Sequence, residues 1–162
     1  MRPVHLSAES AERIRAHARR TYPDECCGFL ISRADPPGTT GPRTVVEIEP
    51  AENGFDGERR RRFAIRPEEL LAAEHRWEPS GYVIAGFYHS HPDHPARPSA
   101  FDQDHAWPWY TYVVVSVTAA DTPAIGAFEL DEDSRRFHEV GLEVGPVAGP
   151  QVTENVRALG AR

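Results

Sequence analysis

The sequence predicts an α/β fold with a central mixed sheet and helices on both of its faces. Strand-like and helix-like segments interleave along the chain rather than falling into separate blocks, which favours a sheet covered by helices. The stretch from Tyr110 to Val117 places Val113, Val114 and Val115 in succession, a pattern of a strand buried on both faces. The chain has 162 residues, 40% of them hydrophobic, enough for one domain with its own core.

The elements follow in order. Ser7-Ala8-Glu9-Ser10 is a plausible helix cap, and Ile14, His17 and Ala18 then share one face. That helix should end near Tyr22, because Pro23 disfavours helical backbone at the residue before it. Gly28 to Ser32 is expected to be a strand, Asp35 to Pro42 a Pro/Gly/Thr loop, and Thr44 to Glu49 a second strand. Asn53 to Glu58 is polar and glycine-bearing, hence a loop, and Phe63 to Ile65 a short strand. Pro67 opens a helix as a good first-turn residue, running through Leu70, Leu71 and Glu74 toward Trp77. Tyr82 to Ser90 is an apolar, β-prone strand. Ser99 to about His105 is a helix, and Ile125 to Leu130 with Arg136 to Val140 a hairpin around Asp131-Glu132-Asp133-Ser134. Residues 1–140 are expected to form the domain, and 141–162, rich in Gly, Pro and Val, a tail without a clear pattern.

The formal net charge is −7 and the pI about 5.6, so a nucleic-acid partner is not favoured. There is no secretory apolar segment near the start and no apolar run of membrane-spanning length; a soluble cytoplasmic protein is expected. Cys26 and Cys27 are adjacent and make no structural disulfide framework. Cys27 is expected to be a small buried residue; a reactive thiol at Cys26 is the alternative. Trp107-Pro108-Trp109 is expected to cap a core, with a place on the rim of a cleft as the alternative. Arg59 to Arg62 is expected to be a solvated loop, or a surface for an acidic protein or a carboxyl end.

His89-Ser90-His91-Pro92 carries the chemistry. On a strand, residues two apart point to one face, so both imidazoles would emerge together at the strand's exit. Asp102 could supply a third ligand after the chain turns back. Two histidines and one carboxylate leave a tetrahedral metal one position short, as catalytic zinc sites require. A His-x-His on a strand is also commonly surface or core histidine, and Ser99 with Asp102 fits a helix capping box; a capped helix start is itself a rigid mount for a ligand. There is no His-Glu-x-x-His helix, and the Cys pair lies too far upstream for a zinc-deaminase pattern. His94, His105 and Asp104 lie near the motif without fitting its spacing.

Together with Glu25, this constellation resembles the JAMM (MPN-plus) zinc metalloprotease family. The motif of that family is a distant Glu, then His-Ser/Thr-His-Pro, six residues, Ser, two residues and Asp. Here Asp93 to Pro98 separate Pro92 from Ser99, and Asp102 follows at the matching place. Upstream, Pro23-Asp24-Glu25-Cys26-Cys27-Gly28-Phe29-Leu30 is similar to the family's Pro-x-Glu-x-Cys-Gly-x-Leu segment. The resemblance runs from about Leu6 to Phe128. It implies a deaminase-like α-β-α sandwich, one zinc ion held by His89, His91 and Asp102, Glu25 as proton shuttle, and Ser99 as a donor to the developing oxyanion. It also implies a peptidase or isopeptidase acting after the C-terminal Gly-Gly of a ubiquitin-like protein, of sulfur-carrier type in the short prokaryotic members, or releasing an adduct from it. A zinc amidohydrolase of small amides and a non-catalytic MPN binding scaffold are the other classes. A panel of extended ubiquitin-like proteins against small amides separates the first, and the full ligand set argues against the second.

Overall fold

The computed structural model describes residues 1–119 and 124–148. It is a single eight-stranded mixed sheet with helices on both faces. The strands are β1 (Val4–Leu6), β2 (Cys27–Arg33), β3 (Arg43–Ala51), β4 (Tyr82–Pro92), β5 (Thr111–Val117), β6 (Ala124–Leu130), β7 (Phe137–Val140) and β8 (Leu142–Val144). Their spatial order is β7-β6-β5-β4-β2-β3-β1-β8. β4 lies between β2, antiparallel, and β5, parallel. The helices are α1 (Ala8–Thr21), α2 (Pro67–Trp77) and α3 (Ala100–His105). Among the described residues no helix is long and apolar enough to cross a membrane.

α1 begins at Ser7, whose side chain accepts from the Ser10 N–H, satisfying one of the free donors of the first turn. Its buried Ala11, Ile14 and Ala18 pack with Leu30, Val45, Tyr88, Val113 and Val115 on one face of the sheet. α2 covers the other face: Ala73 and Trp77 pack with Phe29, Ile31, Tyr82 and Ile84. Alternate residues of β2 therefore serve opposite layers, as a twofold strand period requires. Val113 and Val115 join the α1 layer while Val114 packs with Tyr112 and Phe128 on the other face, so β5 is covered on both sides.

The alternation breaks once in β4. Leu30 pairs with Gly86 but the next residue, Ile31, pairs with Ile84, leaving Ala85 as an extra residue in β4. A bulge of this kind re-aims the side chains beyond it. Tyr82 and Ile84 before it then share a face with Phe87 after it. By the same period, His89 and His91 follow Phe87, and Tyr88 falls on the α1 face. The Ala85 carbonyl is taken up by the Arg43 guanidinium at 3.2 Å, which also donates to the Thr111 hydroxyl at 2.8 Å.

Two glycines are required by close approach. A Cβ on Gly86 would lie 1.8 Å from the Thr111 carbonyl oxygen, where β4 meets β5. A Cβ on Gly28 would lie 2.3 Å from the Tyr88 ring. Tyr88 is fully buried and its hydroxyl lies 2.8 Å from His17 Nδ1. Gly28→Ala must displace that ring. We expect a loss of about 1–3 kcal/mol, the usual cost of overpacking a filled core, read as a lower denaturation midpoint at unchanged slope; an unaltered midpoint refutes the packing role.

Several expectations need correction. Phe63 to Ile65 forms no strand; it belongs to an irregular loop held by side-chain hydrogen bonds described below. β3 extends at both ends of the expected Thr44–Glu49, and β4 continues through Pro92. Leu142–Val144, expected in the tail, is β8, pairing in parallel with β1, itself too short to leave a periodic signal. The part of the expected tail from 149 onward lies outside the described residues. Trp107 and Trp109 cap no core: they are 54% and 60% exposed and stacked on each other, with ring centroids 5.2 Å apart.

Candidate metal centre and active site

His89 is fixed by both neighbours of β4, pairing with Cys27 of β2 and Val114 of β5. His89 and His91 are buried, and α3 brings Asp102 to meet them. Ser99 caps α3 by accepting from the Asp102 N–H at 3.1 Å, while Asp102 Oδ2 accepts from the Ser99 N–H at 2.7 Å. The capping box is therefore real, and its acidic member also faces the histidines. Asp102 Oδ2 lies 3.2 Å from His89 Nε2 and 3.2 Å from His91 Nε2, and the two Nε2 atoms are 3.1 Å apart.

This donor set fits a small cation. His91 Nδ1 lies 3.0 Å from the Pro95 carbonyl. That carbonyl can only accept, so in the neutral ring Nδ1 carries the hydrogen and Nε2 keeps its lone pair. Two imidazole nitrogens and a carboxylate oxygen meet at one point, all three ligand atoms within 4.8 Å of one another, and each can offer a lone pair there. Imidazole nitrogen with carboxylate oxygen is a donor set suited to zinc. Among the described residues, His94, His105 and Asp104 are outside this group.

Electrostatics keep the roles apart. Burial pushes the His89 imidazole below its ordinary value. Burial alone would raise Asp102, but His89, His91 and the Ser99 N–H outweigh it and hold the carboxyl well below the usual range. For His91, burial works downward, and the hydrogen bond and charge of Asp102 reverse it.

Glu25 reaches the same place from the segment just before β2. Ser90, between the two histidines, points to the opposite face; its hydroxyl accepts from the Cys26 N–H at 2.8 Å, and its own N–H donates to the Cys26 carbonyl at 3.0 Å. This double tie locks the residue after Glu25 to the residue between the histidines. Glu25 Oε1 consequently lies 3.9 Å from His91 Nε2. The residue is 3% exposed, and Oε2 is buried without a hydrogen-bond partner among the described residues. Burial pushes the carboxyl up to about 8, so it can hold or release a proton near neutral pH. Cys26 and Cys27 are free and buried, and burial pushes Cys26 up to about 11, so it is no thiolate nucleophile at neutral pH.

Asn53 and Phe63 escaped the sequence reading as parts of the site. Asn53 uses its full hydrogen-bonding capacity: its amide donates to the carbonyls of Glu25 (3.0 Å) and Arg62 (2.9 Å), and its oxygen accepts from the N–H groups of Phe55 (3.0 Å) and Ala64 (3.3 Å). It joins the Glu25 backbone to the loop that follows. That loop lays Phe63 on His89, nearly parallel with centroids 4.4 Å apart, and Arg62 over Phe101 at 4.3 Å. An Asn in a polar loop signals at most a local turn such as its bond from the Phe55 N–H; its partners at Glu25, Arg62 and Ala64 are 28, 9 and 11 residues away.

Two cavities flank the centre. One, of about 400 Å³, is apolar and lies beside His89 and Asp102, walled by Phe55, Phe63, Phe101 and Trp107. The other, of about 530 Å³, lies beside His91, Glu25 and Ser99 and is edged by Arg61, Arg62 and Arg97. Trp107 thus stands on the rim of a cleft.

A strand that delivers two histidines and a helix that delivers a carboxylate to one point, with a buried glutamate alongside, define a protein built around a candidate hydrolytic metal centre. Residues 7–131 match the model of the prokaryotic homologs of the JAB domain; the chain belongs to this JAMM/MPN family. It is 35% identical over 118 residues to a desampylase from Haloferax volcanii, covering 70% of this chain and 80% of that protein. It is also 33% identical over 98 residues to tail tip assembly protein K of Escherichia phage N15, spanning 34% of the length of that relative. Solution structures of proteins from Desulfitobacterium hafniense (TM-score 0.74, 31% identity, 89% of this chain and 94% of that one) and Salinibacter ruber (TM-score 0.66, 34% identity, 93% and 97%) are similar to it. A JAB1/MPN domain protein from Archaeoglobus fulgidus, at 19% identity and TM-score 0.51 over 88% of this chain and 100% of that one, shares the fold.

Proposed function

We propose that this protein is a zinc-dependent peptidase or isopeptidase that hydrolyses the bond after the C-terminal Gly-Gly of a ubiquitin-like carrier, working in the cytoplasm. The observation that carries the reading is the convergence of His89 Nε2, His91 Nε2 and Asp102 Oδ2 within 3.1–3.2 Å, with the Glu25 carboxyl at 3.9 Å from His91. The similarity to a desampylase supports it.

In this reading His89, His91 and Asp102 hold the metal. Zinc, when bound, supplies a Lewis acid and water activation at neutral pH. Glu25 takes the proton that the attacking water gives up and passes it to the departing nitrogen. Its unpartnered, buried Oε2 is free to do so. Ser99, on the rim of the Glu25 cavity, donates its hydroxyl to the oxyanion that develops on the scissile carbonyl, a contribution typically worth about 3 kcal/mol of barrier. Phe63, stacked on the His89 ring, keeps water from that face of it.

Gly-Gly suits this centre because glycine lets a substrate backbone approach closely. Incubating the zinc-loaded protein with a ubiquitin-like carrier extended beyond Gly-Gly should release the extension, as read by mass spectrometry. The Ala-Ala version should resist. Equal cleavage of both, or cleavage of neither beside rapid hydrolysis of a small amide, overturns the reading in favour of a small-molecule amidohydrolase.

A further inference from the structure

We propose that Phe63 is the positioning residue of the metal ligand His89, and that through this contact zinc binding is linked to the loop of residues 53–64, which walls both cavities. The inference rests on the metal-centre reading above and adds what holds one of its ligands in place.

The two histidines are held in different ways. His91 Nδ1 lies 3.0 Å from the Pro95 carbonyl. That carbonyl sits in a pinned turn: the Arg97 N–H donates to it at 2.8 Å, and the Ser116 hydroxyl donates to the neighbouring His94 carbonyl at 2.6 Å. A metal-binding imidazole almost always gives its second nitrogen such a partner, which fixes the orientation of the ring. His89 departs from this rule. It is 1% exposed, and its Nδ1 is buried with no hydrogen-bond partner among the described residues. Pairing of β4 with β2 and β5 fixes its main chain but leaves the side-chain torsions to be set by packing. The His91 ring meets it at a steep angle, 63° from parallel. The Phe63 ring lies against its face instead, 21° from parallel with centroids 4.4 Å apart. A ring pressed flat on another resists tilting, so the stack does for His89 what the Pro95 carbonyl does for His91.

Phe63 is itself held from both sides. The Arg62 carbonyl accepts from the Asn53 amide at 2.9 Å, the Ala64 N–H donates to the Asn53 side-chain oxygen at 3.3 Å, and the Ala64 carbonyl accepts from the Gly54 N–H at 2.9 Å. The same loop also rests on α3. Phe55 meets the Phe101 ring edge-on with centroids 6.0 Å apart, and Arg62 lies over that ring at 4.3 Å. Phe101 immediately precedes Asp102. The loop therefore leans on one ligand directly and on the helix that carries a second. His89 and Asp102, once fixed by zinc, offer the loop a steadier seat, and a seated loop keeps them ready for zinc; a linkage between two binding events acts equally in both directions.

The test measures the zinc affinity of the full chain by competition with a chromogenic chelator. Phe63→Leu keeps apolar bulk and loses the ring plane. Removing a group that orients a metal ligand costs about 10- to 100-fold in metal affinity, so this variant should bind zinc about tenfold more weakly or worse. Phe63→Tyr keeps the stacked ring and should bind zinc nearly as the unaltered protein does. Hydrogen exchange of residues 53–64 needs no variant: zinc should slow it in the unaltered protein, and slow it less in Phe63→Leu. Unchanged zinc affinity in Phe63→Leu overturns the inference, as does an equal loss in the Leu and Tyr variants, which would reduce Phe63 to a filler of space. Exchange of residues 53–64 that ignores zinc overturns the linkage even if Phe63→Leu fails to fold. All of these outcomes leave the metal-centre reading intact, whereas an unaltered chain that binds no zinc overturns that reading and this inference together.

Discussion

His89→Ala is expected to remove stoichiometric zinc from the protein and turnover with it. The unaltered chain should carry about one zinc per molecule by elemental analysis. Losing even a residue that only supports a metal ligand costs about 10- to 100-fold, and loss of a ligand should exceed that. Asp102→Ala should behave alike, with an added loss of stability, because Asp102 Oδ2 also accepts the Ser99 N–H and closes the α3 capping box. Removing a cap costs about 1 kcal/mol. A protein lacking both His89 and His91 that still retains its zinc would show that the metal lies elsewhere.

Glu25→Gln should separate the chemistry from the scaffold. The amide keeps the size and removes the proton carrier, so turnover should fall about 100- to 10,000-fold while zinc content is unchanged. The fold should survive, since Asn53 and Arg59 engage the main chain of Glu25 and not its carboxyl. The sign of the stability change follows from linkage. Burial raises the folded carboxyl to about 8, above its ordinary value of 4.5. Between those values the folded protein holds more protons than the unfolded chain, so stability falls as pH rises through that window. Glutamine does not ionise and escapes this loss. Zinc-free Glu25→Gln protein should therefore melt higher than the unaltered zinc-free protein at pH 8, with the gap closing toward pH 4.5. Near-normal turnover in the variant would move the proton shuttle to another residue, Asp24 being the nearest.

Much of this was legible in the chain. The same-face geometry of His89 and His91 follows from the strand period alone. The placing of Ser90 on the opposite face follows likewise, although not what it does there. That it ties Cys26 to the motif strand depends on β2 being the neighbour of β4, and no local pattern states which strands are adjacent. Pro67 announced α2, and Ser7 and Ser99 announced the starts of α1 and α3, because capping is a local exchange between a side chain and its own first turn. β1 and β8 were missed for the converse reason. Three residues carry no usable period: β1 exists because β3 and β8 complete its hydrogen bonds, and β8 because β1 offers it an edge.

The sequence by itself determined the fold class, the ligand-bearing strand and the identity of Glu25, His89, His91, Ser99 and Asp102 as candidates. The two histidines and Asp102 rest on spacing, which is written along the chain, while Glu25 and the role of Ser99 rest on the resemblance to the family. Only the tertiary structure decided how they meet. The extra residue at Ala85 changes the alternation of β4 before His89 is reached, and Gly28 and Gly86 are needed because a ring and a carbonyl arrive from other strands. Asn53 binds Glu25, Phe55, Arg62 and Ala64 at once, and that lays Phe63 on His89 and sets Arg62 beside the cavity of Glu25. The reason is physical: a strand or a cap is decided by neighbours a few residues away, whereas close approach and burial are decided by whatever packing brings near.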